Sequence, residues 1–494
     1  MNTKALRQKI LDLAIHGKLV PQNPNDESAT VLLEKIRAEK AEKIKKGELK
    51  ADKKDSFIFV GSDKRHYEQF ADGTVKDIED EIPFEVPYGW AWCRLSMLVS
   101  ELGDGIHGTP NYNDEGKYYF VNGNNLINGK IEIKPDTKKV DESEYLKYKK
   151  VLSQNTVFVS INGTLGNVAF YNDEPIILGK SACFFNLLIT ELKHYCYYFL
   201  ISDYFKKYAE ENATGSTIKN VSLQTMRSLL LPLPPLEQQE RIIVEIEKSF
   251  KEIDFLEQNK FDLQTTIKQA KSKILDLAIH GRLVQQNSND EPAEELLKRI
   301  ATSDNRPYKK LDEDDGPFEI PKTWTWCRIK EIAKSELGKT LDAKKNKGEL
   351  YNYLCALNVK WFSFDFSTIK QIRLEEKEKE RYLIRKGDLL ICEGGDVGRA
   401  AIWESDKIIY YQNALHRVRF YENINQYFYL YVLNYYKTLG FIDDVSSGVT
   451  IKHFTQNSMN KLYFPLPPIK EQYRIVSKIE ELFLQLDTIS DQLA

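Results

Sequence analysis

Apolar side chains recur every seven residues through the middle of this chain. Ile246, Ile253, Lys260, Ile267 and Ile274 form one row, and Ser249, Leu256, Leu263, Ala270 and Leu277 form a second row three residues later. That is the two-row seam of a coiled coil, sustained over more than four heptads. Pro235 pre-sets a first turn and Gly281 offers a stop. The spacing therefore predicts one helix of about 44 residues, roughly 66 Å long at 1.5 Å per residue. The same seam runs on through Ile479, Leu482, Leu486, Ile489 and Leu493 at one end of the chain, and through Leu6, Ile10 and Leu13 at the other.

The seam belongs to a larger repeat. ILDLAIHG stands at 10–17 and again at 274–281, and the likeness extends from Leu6–Ile36 to Ala270–Ile300 at an offset of 264. PFEVPYGWAWCRL (83–95) matches PFEIPKTWTWCRI (317–329) at an offset of 234. GSTIKN…LPLPPLEQQERI (215–242) matches GVTIKH…FPLPPIKEQYRI (448–475) at an offset of 233. The chain is thus one unit written twice, with its ends cut from the middle of a unit. Ala494 then corresponds to Phe261 and Met1 to Thr265, so only 262–264 separate the copies. Residues 1–15 and 475–494 are expected to lie end to end as a composite helix packed against 236–280, because a half-helix with an apolar stripe must bury it somewhere.

Two segments between the helices, 82–235 and 316–468, are rich in short β-branched and aromatic runs. TVFVSI (156–161) and DLLICE (388–393), each followed by a Gly-rich turn and then by VAF or AAI, read as strand–turn–strand. The stretches 194–208 and 426–440 read as helices whose aromatics face the core. Residues 37–81 have no counterpart in the second copy; they read as a charged helix running into a solvated, partly disordered linker. The fold class expected is α+β. Two mixed α/β domains, related by pseudo-two-fold symmetry, would be separated by a long antiparallel coiled coil in a circularly permuted repeat. The segments are a helical 1–36, the insertion 37–81, a first domain 82–235, a central helical region 236–300, an acidic linker 301–315, a second domain 316–468 and a terminal helix 469–494.

Charge does not name a partner. The net charge is −3, and only a local excess in 338–420, 16 Lys/Arg against 12 Asp/Glu, leans basic. Acidic runs at 77–81 and 312–315 offset it. The six cysteines lack metal spacing; Cys93 and Cys327, each after Trp-x-Trp, read as small buried hydrophobes. Neither a signal-peptide core nor a stretch of membrane-spanning length is present, so a cytoplasmic location is expected. Catalysis is not expected either. The chain has no methyltransferase cofactor loop or Asn/Asp-Pro-Pro-aromatic box, and no phosphate-binding lysine loop. Its densest acids near a strand, Glu393, Asp396, Glu404 and Asp406, are not matched in the other copy. A catalytic subunit is the strongest rival class, and a pure scaffold is a third.

The domain interiors differ where the edges agree: 103–156 and 338–387 share almost no identity. A common scaffold with unlike loops fits two readers of two targets, as a pseudo-two-fold protein meets two half-sites of duplex DNA. The PLPPLEQQERI and PLPPIKEQYRI helix entries, the ILDLAIHG exits, the GSTIKN and GVTIKH turns, and SINGTLGNVAF with CEGGDVGRAAIW together resemble the specificity subunit of a type I restriction–modification system. The resemblance covers nearly the whole chain outside 37–81. It implies two target recognition domains, each reading half of a bipartite asymmetric sequence in double-stranded DNA. It also implies helices that set the spacer and dock two methyltransferase subunits, and restriction subunits that join for cleavage. No cofactor would bind this chain. S-adenosylmethionine would belong to the methyltransferase subunits, which act on adenine, and ATP and magnesium to the restriction subunits.

Arg and Lys suit guanine and Asn and Gln suit adenine in the major groove. In the first domain Lys117, Tyr118, Tyr119, Asn122, Asn124 and Asn125 are candidates, although turn-forming asparagines explain NGNN equally well. In the second, Lys344, Lys345, Asn346 and Lys347 are a basic loop or simply a solvated one, followed by Asn358, Lys360 and Trp361. The glycine turn carrying Asn162 and Thr164 serves either phosphate approach or a tight hairpin. Arg399, Gln412, Asn413, His416 and Arg417 are a polar set on a predicted strand pair. Lys219 and Lys452, in matched turns, suit phosphate. Thr217 and Thr450 are expected to cap the helices that follow.

Overall fold

One helix runs unbroken from Leu236 to Ile279, 44 residues directly after Pro235. In this computed structural model residues 2–52, 55–215, 217–312, 316–342, 346–448 and 452–492 are described. The chain divides into two units, Met1–Asn259 and Lys260–Ala494, and the long helix contributes to both. Its first seam row is closed, with Ile246, Ile253 and Ile267 buried. The second row is open at Leu256 and Leu263, which are exposed.

In the first unit the helix Thr3–Ile15 lies antiparallel to the start of the long helix. Thr3 bonds Glu257, and Arg7 reaches Glu257 at 3.1 Å and Asp254 at 2.6 Å with its guanidinium 5.0 Å from the Phe250 ring centre. Ion pairs this exposed contribute little. The packing is held by Leu11, Ala14 and Ile15, which share a core with Ile242 and Ile246. In the second unit Lys271 spans Asp487 at 2.5 Å and the Phe483 ring at 5.0 Å. There Ile475, Val476 and Ile479 share a core with Leu275, Ala278 and Ile279.

The two helix exits are built alike. Gly17 (φ 64°) and Gly281 (φ 67°) take the left-handed conformation that closes a helix. Lys18 N donates to Leu13 O at 2.8 Å and Arg282 N to Leu277 O at 2.7 Å, satisfying the last carbonyls. A Cβ on Gly17 would come 2.4 Å from the Pro87 ring, and one on Gly281 2.3 Å from the Pro321 ring. Beside each glycine a histidine ring lies against phenylalanine, His16 stacked on Phe84 at 4.0 Å and His280 tilted on Phe318 at 4.2 Å. The loop beyond returns an aspartate to the start of a long helix: Asp26 pairs with Arg241 at 2.5 Å and Asp290 with Arg474 at 2.6 Å.

Each unit carries the same three sheets. A two-stranded ribbon, Ala91–Arg94 on Leu230–Leu233 or Thr325–Cys327 on Phe464–Leu466, ties the entry of the domain to its exit. Within it Cys93 and Cys327 are fully buried, as their aromatic neighbours predict. A four-stranded antiparallel sheet has the order Val168–Phe170, Thr156–Ser160, Ala182–Leu187, Val99–Asp104. Its counterpart has the order Ala400–Ile402, Leu389–Cys392, Leu415–Phe420, Ala333–Leu337. A three-stranded sheet holds one parallel pair in each unit, Tyr118–Val121 with Ile176–Leu178 and Glu349–Leu354 with Tyr410–Tyr411. Identity between the copies is nearly lost in this last sheet, yet the topology is kept. The helix Gln426–Thr438 buries four of its five tyrosines, whereas 194–208 breaks at Ser202, whose hydroxyl caps the second piece, Asp203–Glu211.

The insertion corrects the expectation of a solvated linker. After the helix Ala29–Lys45, strands Ser56–Val60, His66–Phe70 and Val75–Asp77 form an antiparallel sheet. Two hairpins had their signals in plain view, SFIFV and HYEQF flanking Gly-Ser-Asp, then Asp72-Gly73 with Gly73 at φ 87°. The sheet is anchored by the nearly buried pair of Arg94 and Glu68, 2.9 Å apart, and Glu81 joins at 2.6 Å. Charge content misled because several of its charges pair with one another, as Lys40 with Asp55 at 2.7 Å and Arg65 with Asp77 at 2.8 Å.

Gly281→Ala is expected to lower stability by about 2 kcal/mol or more, since it adds left-handed strain to a clash with a ring that cannot yield. Denaturant unfolding of the purified chain reads the loss; an unchanged midpoint would mean the helix exit is not tightly specified.

Candidate nucleic-acid interface

In the first unit five loops meet at one edge of the four-stranded sheet, and the hydrogen bonds between them fix the edge. Ile106 pairs with Gly179 in a parallel bridge. Ser181 Oγ donates to Asn122 Oδ1 at 2.9 Å while accepting from Gly123 N at 2.9 Å. Ile161 N donates to Ser181 O at 3.0 Å, and Gly163 N to Lys219 O at 3.0 Å. Asn162 Nδ2 donates to Asn220 Oδ1 at 3.0 Å. These bonds gather Asn122, Asn162, Lys180 and Lys219, with Asn124, Thr164, Lys180 and Lys219 open to solvent.

The second unit repeats this edge with different side chains. Lys339 bridges Gln412, and Asn413 N donates to Lys339 O at 2.8 Å. Glu393 N donates to Ala414 O at 2.9 Å, and Phe454 N to Glu393 O at 2.7 Å. Ser447 pairs with His453 as Thr214 pairs with Asn220. Asn346 Nδ2 joins the same edge through Thr340 O at 3.1 Å.

Such an edge offers amides, hydroxyls and ammonium groups, which suits hydrogen bonding to an anionic polymer. All six cysteines are buried, and burial pushes the Cys93, Cys183 and Cys327 thiols far up and Cys196 up to about 12. Among the described residues no group of three or more His, Cys, Asp or Glu is placed to hold a metal, and no helix is long and apolar enough to cross a membrane.

The type I restriction modification DNA specificity domain matches residues 103–264 and 321–494. The chain belongs to this family of specificity subunits. It is 27% identical to the EcoAI specificity subunit of Escherichia coli, over 97% of this chain and 88% of that one. It is 25% identical to the EcoEI specificity subunit of the same organism, over 99% and 90%. A solved chain from work on assembly and conformational transition of the type I R-M system shares the fold, with a TM-score of 0.51 at 18% identity over 83% of this chain and 94% of that one.

Four candidate contacts of this specificity subunit are corrected by burial. Asn125 and Asn358, 4% and 1% exposed, are the same residue in the two copies. Asn125 Oδ1 accepts from Asn122 N at 3.0 Å and its amide donates to Glu132 O at 2.9 Å. Asn358 Oδ1 accepts from Cys355 N at 2.9 Å and its amide donates to Asp365 O at 2.9 Å. Both hold a turn and present nothing to a ligand. His416 is buried with Nε2 3.1 Å from Phe454 O, and burial lowers its pKa. Arg417 is buried against Glu336 and donates to Leu383 O at 2.7 Å.

Other candidates lie away from the edge or are partly engaged. Lys117 is exposed but stands at the far end of its strand; Tyr118 stacks on Tyr145 at 4.0 Å, and Tyr119 lies under Lys139. Lys360 and Trp361 sit on a hairpin that meets the outer strand through Phe362 N and Ala400 O at 3.1 Å. Arg399 spends one amine on Ala356 O at 2.8 Å. Lys452 stays exposed, with Nζ 3.1 Å from Asp443 O. Lys347 is exposed beside the strand Glu349–Leu354. Lys344, Lys345 and Thr450 lie outside the described residues. Thr217 caps no helix: Ser222 caps Leu223–Arg227, and Thr455 caps Gln456–Met459. Lys180 was missed, although the offset of 233 pairs it with Asn413.

Asn358→Ala is expected to cost about 1–3 kcal/mol of stability by leaving buried backbone groups unpaired, with no letter of any recognised sequence altered. Thermal unfolding beside methylome sequencing distinguishes this from base contact, for which the letters would move and the melting temperature would not.

Proposed function

We propose that this specificity subunit is the DNA-reading, non-catalytic part of a type I restriction–modification complex. Each unit reads one half of a bipartite, asymmetric site in double-stranded DNA through the loop edge at its four-stranded sheet. The long helices set the distance between halves, with the chain's two ends together completing the second helix, and dock two methyltransferase subunits. Those subunits bind S-adenosylmethionine and methylate adenine. Restriction subunits, with ATP and magnesium, direct cleavage of unmodified DNA in the cytoplasm.

One observation carries this reading: the loop edge is built twice on the same backbone plan and furnished with unlike side chains. A scaffold that only joined partners would have no use for that divergence. Docking is supported by large apolar side chains left open along the helices, Val244, Phe255 and Leu256 in the first unit and Phe261, Leu484 and Ile489 in the second. Phosphate contact is supported by Lys219, exposed in its turn.

Replacing 95–230 by the same segment of a relative, in the complex with its methyltransferase subunits, should change one half of the methylated sequence and keep the other half and the gap. A change in both halves would falsify modular reading. Lys219→Ala should weaken binding on every sequence alike and reduce the slope of log K against log salt by about one. A salt titration that leaves the slope where it was removes Lys219 from the phosphate path.

A further inference from the structure

The turn that leads into the central strand of the four-stranded sheet is pinned identically in the two units. Ile106 N donates to Leu178 O at 2.7 Å and Lys180 N to Ile106 O at 3.0 Å. In the second unit Lys339 N donates to Tyr411 O at 3.1 Å and Asn413 N to Lys339 O at 2.8 Å. The turn closes through Ala182 N to Gly179 O at 3.0 Å, and through Leu415 N to Gln412 O at 3.2 Å. A glycine lets the backbones come this close. A Cβ on Gly105 would stand 2.0 Å from Leu178 O, and one on Gly338 2.4 Å from the Gln412 carbonyl carbon. Lys180 and Asn413 therefore occupy one position on a backbone held from both sides.

Their side chains differ in a chemically legible way. The Lys180 side chain is exposed and has no hydrogen bond or ion pair among the described residues; it offers donors only. In the second unit Gln412 Nε2 donates to Asn413 Oδ1 at 2.7 Å. This pairing leaves the Gln412 oxygen and the Asn413 amine without a partner among the described residues. Turning both amides exchanges the two groups and still leaves one acceptor and one donor. Guanine shows two acceptors, N7 and O6, on its major-groove edge; adenine shows one acceptor, N7, and one donor, N6.

We infer that this turn is the base-reading element of both units, with Lys180 specifying a guanine in one half-site and the Gln412–Asn413 pair specifying an adenine in the other. The assignment rests on the proposed reading of DNA by each unit. Neighbouring lysines make the division of labour physical. Ile161, whose N donates to Ser181 O at 3.0 Å, leads into the Asn162–Thr164 turn tied to Lys219, so a phosphate-type cation flanks the base-type one. Ala414, held at φ 74°, has a small side chain after the amide pair where a larger one would be strained.

The test is methylome sequencing of cells expressing the whole chain with its methyltransferase subunits, as wild type, Lys180→Met, Asn413→Ala and Gln412→Ala. Lys180→Met keeps the stem and removes the donors. Each variant should keep a bipartite site with the same gap and the same opposite half. Lys180→Met should lose preference for guanine at one position of one half. Asn413→Ala and Gln412→Ala should both lose preference for adenine at one position of the other, by about 10- to 100-fold. A variant too weak to methylate is passed as the complex through selection from a random duplex library, where the same letters are read. Retention of every letter overturns the assignment, as does uniform weakening without a changed letter. A wild type that methylates no bipartite site sinks the underlying reading instead, so the two failures are told apart.

Discussion

A helix exit that only glycine can make organises each unit. Gly17 and Gly281 close a helix in the left-handed conformation and let a proline ring sit where a side chain would be. The proline begins the Pro-x-x-Trp turn, whose tryptophan, Trp90 or Trp324, is buried at the root of the two-stranded ribbon. The ribbon in turn pairs with the strand that runs into the next long helix through Pro235 or Pro468. One close approach thus joins the end of one helix, the root of the recognition domain and the start of another helix. The aspartate–arginine pair behind it, Asp26 with Arg241 or Asp290 with Arg474, has its carboxylate nearly buried. Such a pair resists removal of either partner more than it adds net stability, so it fixes the direction in which the chain returns.

The junction is not perfectly symmetric, and the difference has a physical cost. Gln238 accepts from Trp90 Nε1 at 2.9 Å as a neutral amide. The matching residue in the second unit is Glu471, 1% exposed, beside Trp324 and bonded by Gln286 at 2.5 Å. Burial raises the Glu471 carboxyl above its ordinary value. A carboxyl there is held by a donor from an amide, with an indole beside it and the Arg474 charge nearby, which is how a buried acid is tolerated at all.

The repeat made most of this legible before any coordinates. The helix Leu236–Ile279, the glycine exits and the strand pairs around 156–170 and 389–402 follow from heptad spacing, turn residues and the offsets between copies. What periodicity could not show was which seam row closes, because Leu256 and Leu263 have the right spacing and still stand open. Nor could residue type alone separate a reader from a prop. Asn122, Asn124 and Asn125 look alike in the string; the fold leaves Asn124 outside, half-buries Asn122 and consumes Asn125 in three hydrogen bonds. Comparing the copies would have made that division earlier, since Asn125 recurs as Asn358 where its neighbours do not. The insertion was lost to composition: Lys and Glu counts argued for solvent, while the alternation in SFIFV and HYEQF argued for a sheet.

That comparison also says what kind of residue should carry specificity. A position whose chemistry is shared by both copies, such as the buried asparagine or the ribbon cysteine, is one that the common fold requires. A position with shared backbone bonds and unlike chemistry, such as Lys180 against Asn413, is free of the fold and available to the ligand. Rigid backbone with a replaceable side chain is what base reading demands, because a donor displaced by an ångström loses the angle on which hydrogen-bond discrimination depends. The glycines at 105 and 338 supply the rigidity by forbidding any side chain between the paired backbones, and under the proposed reading this leaves the choice of letter to one or two side chains.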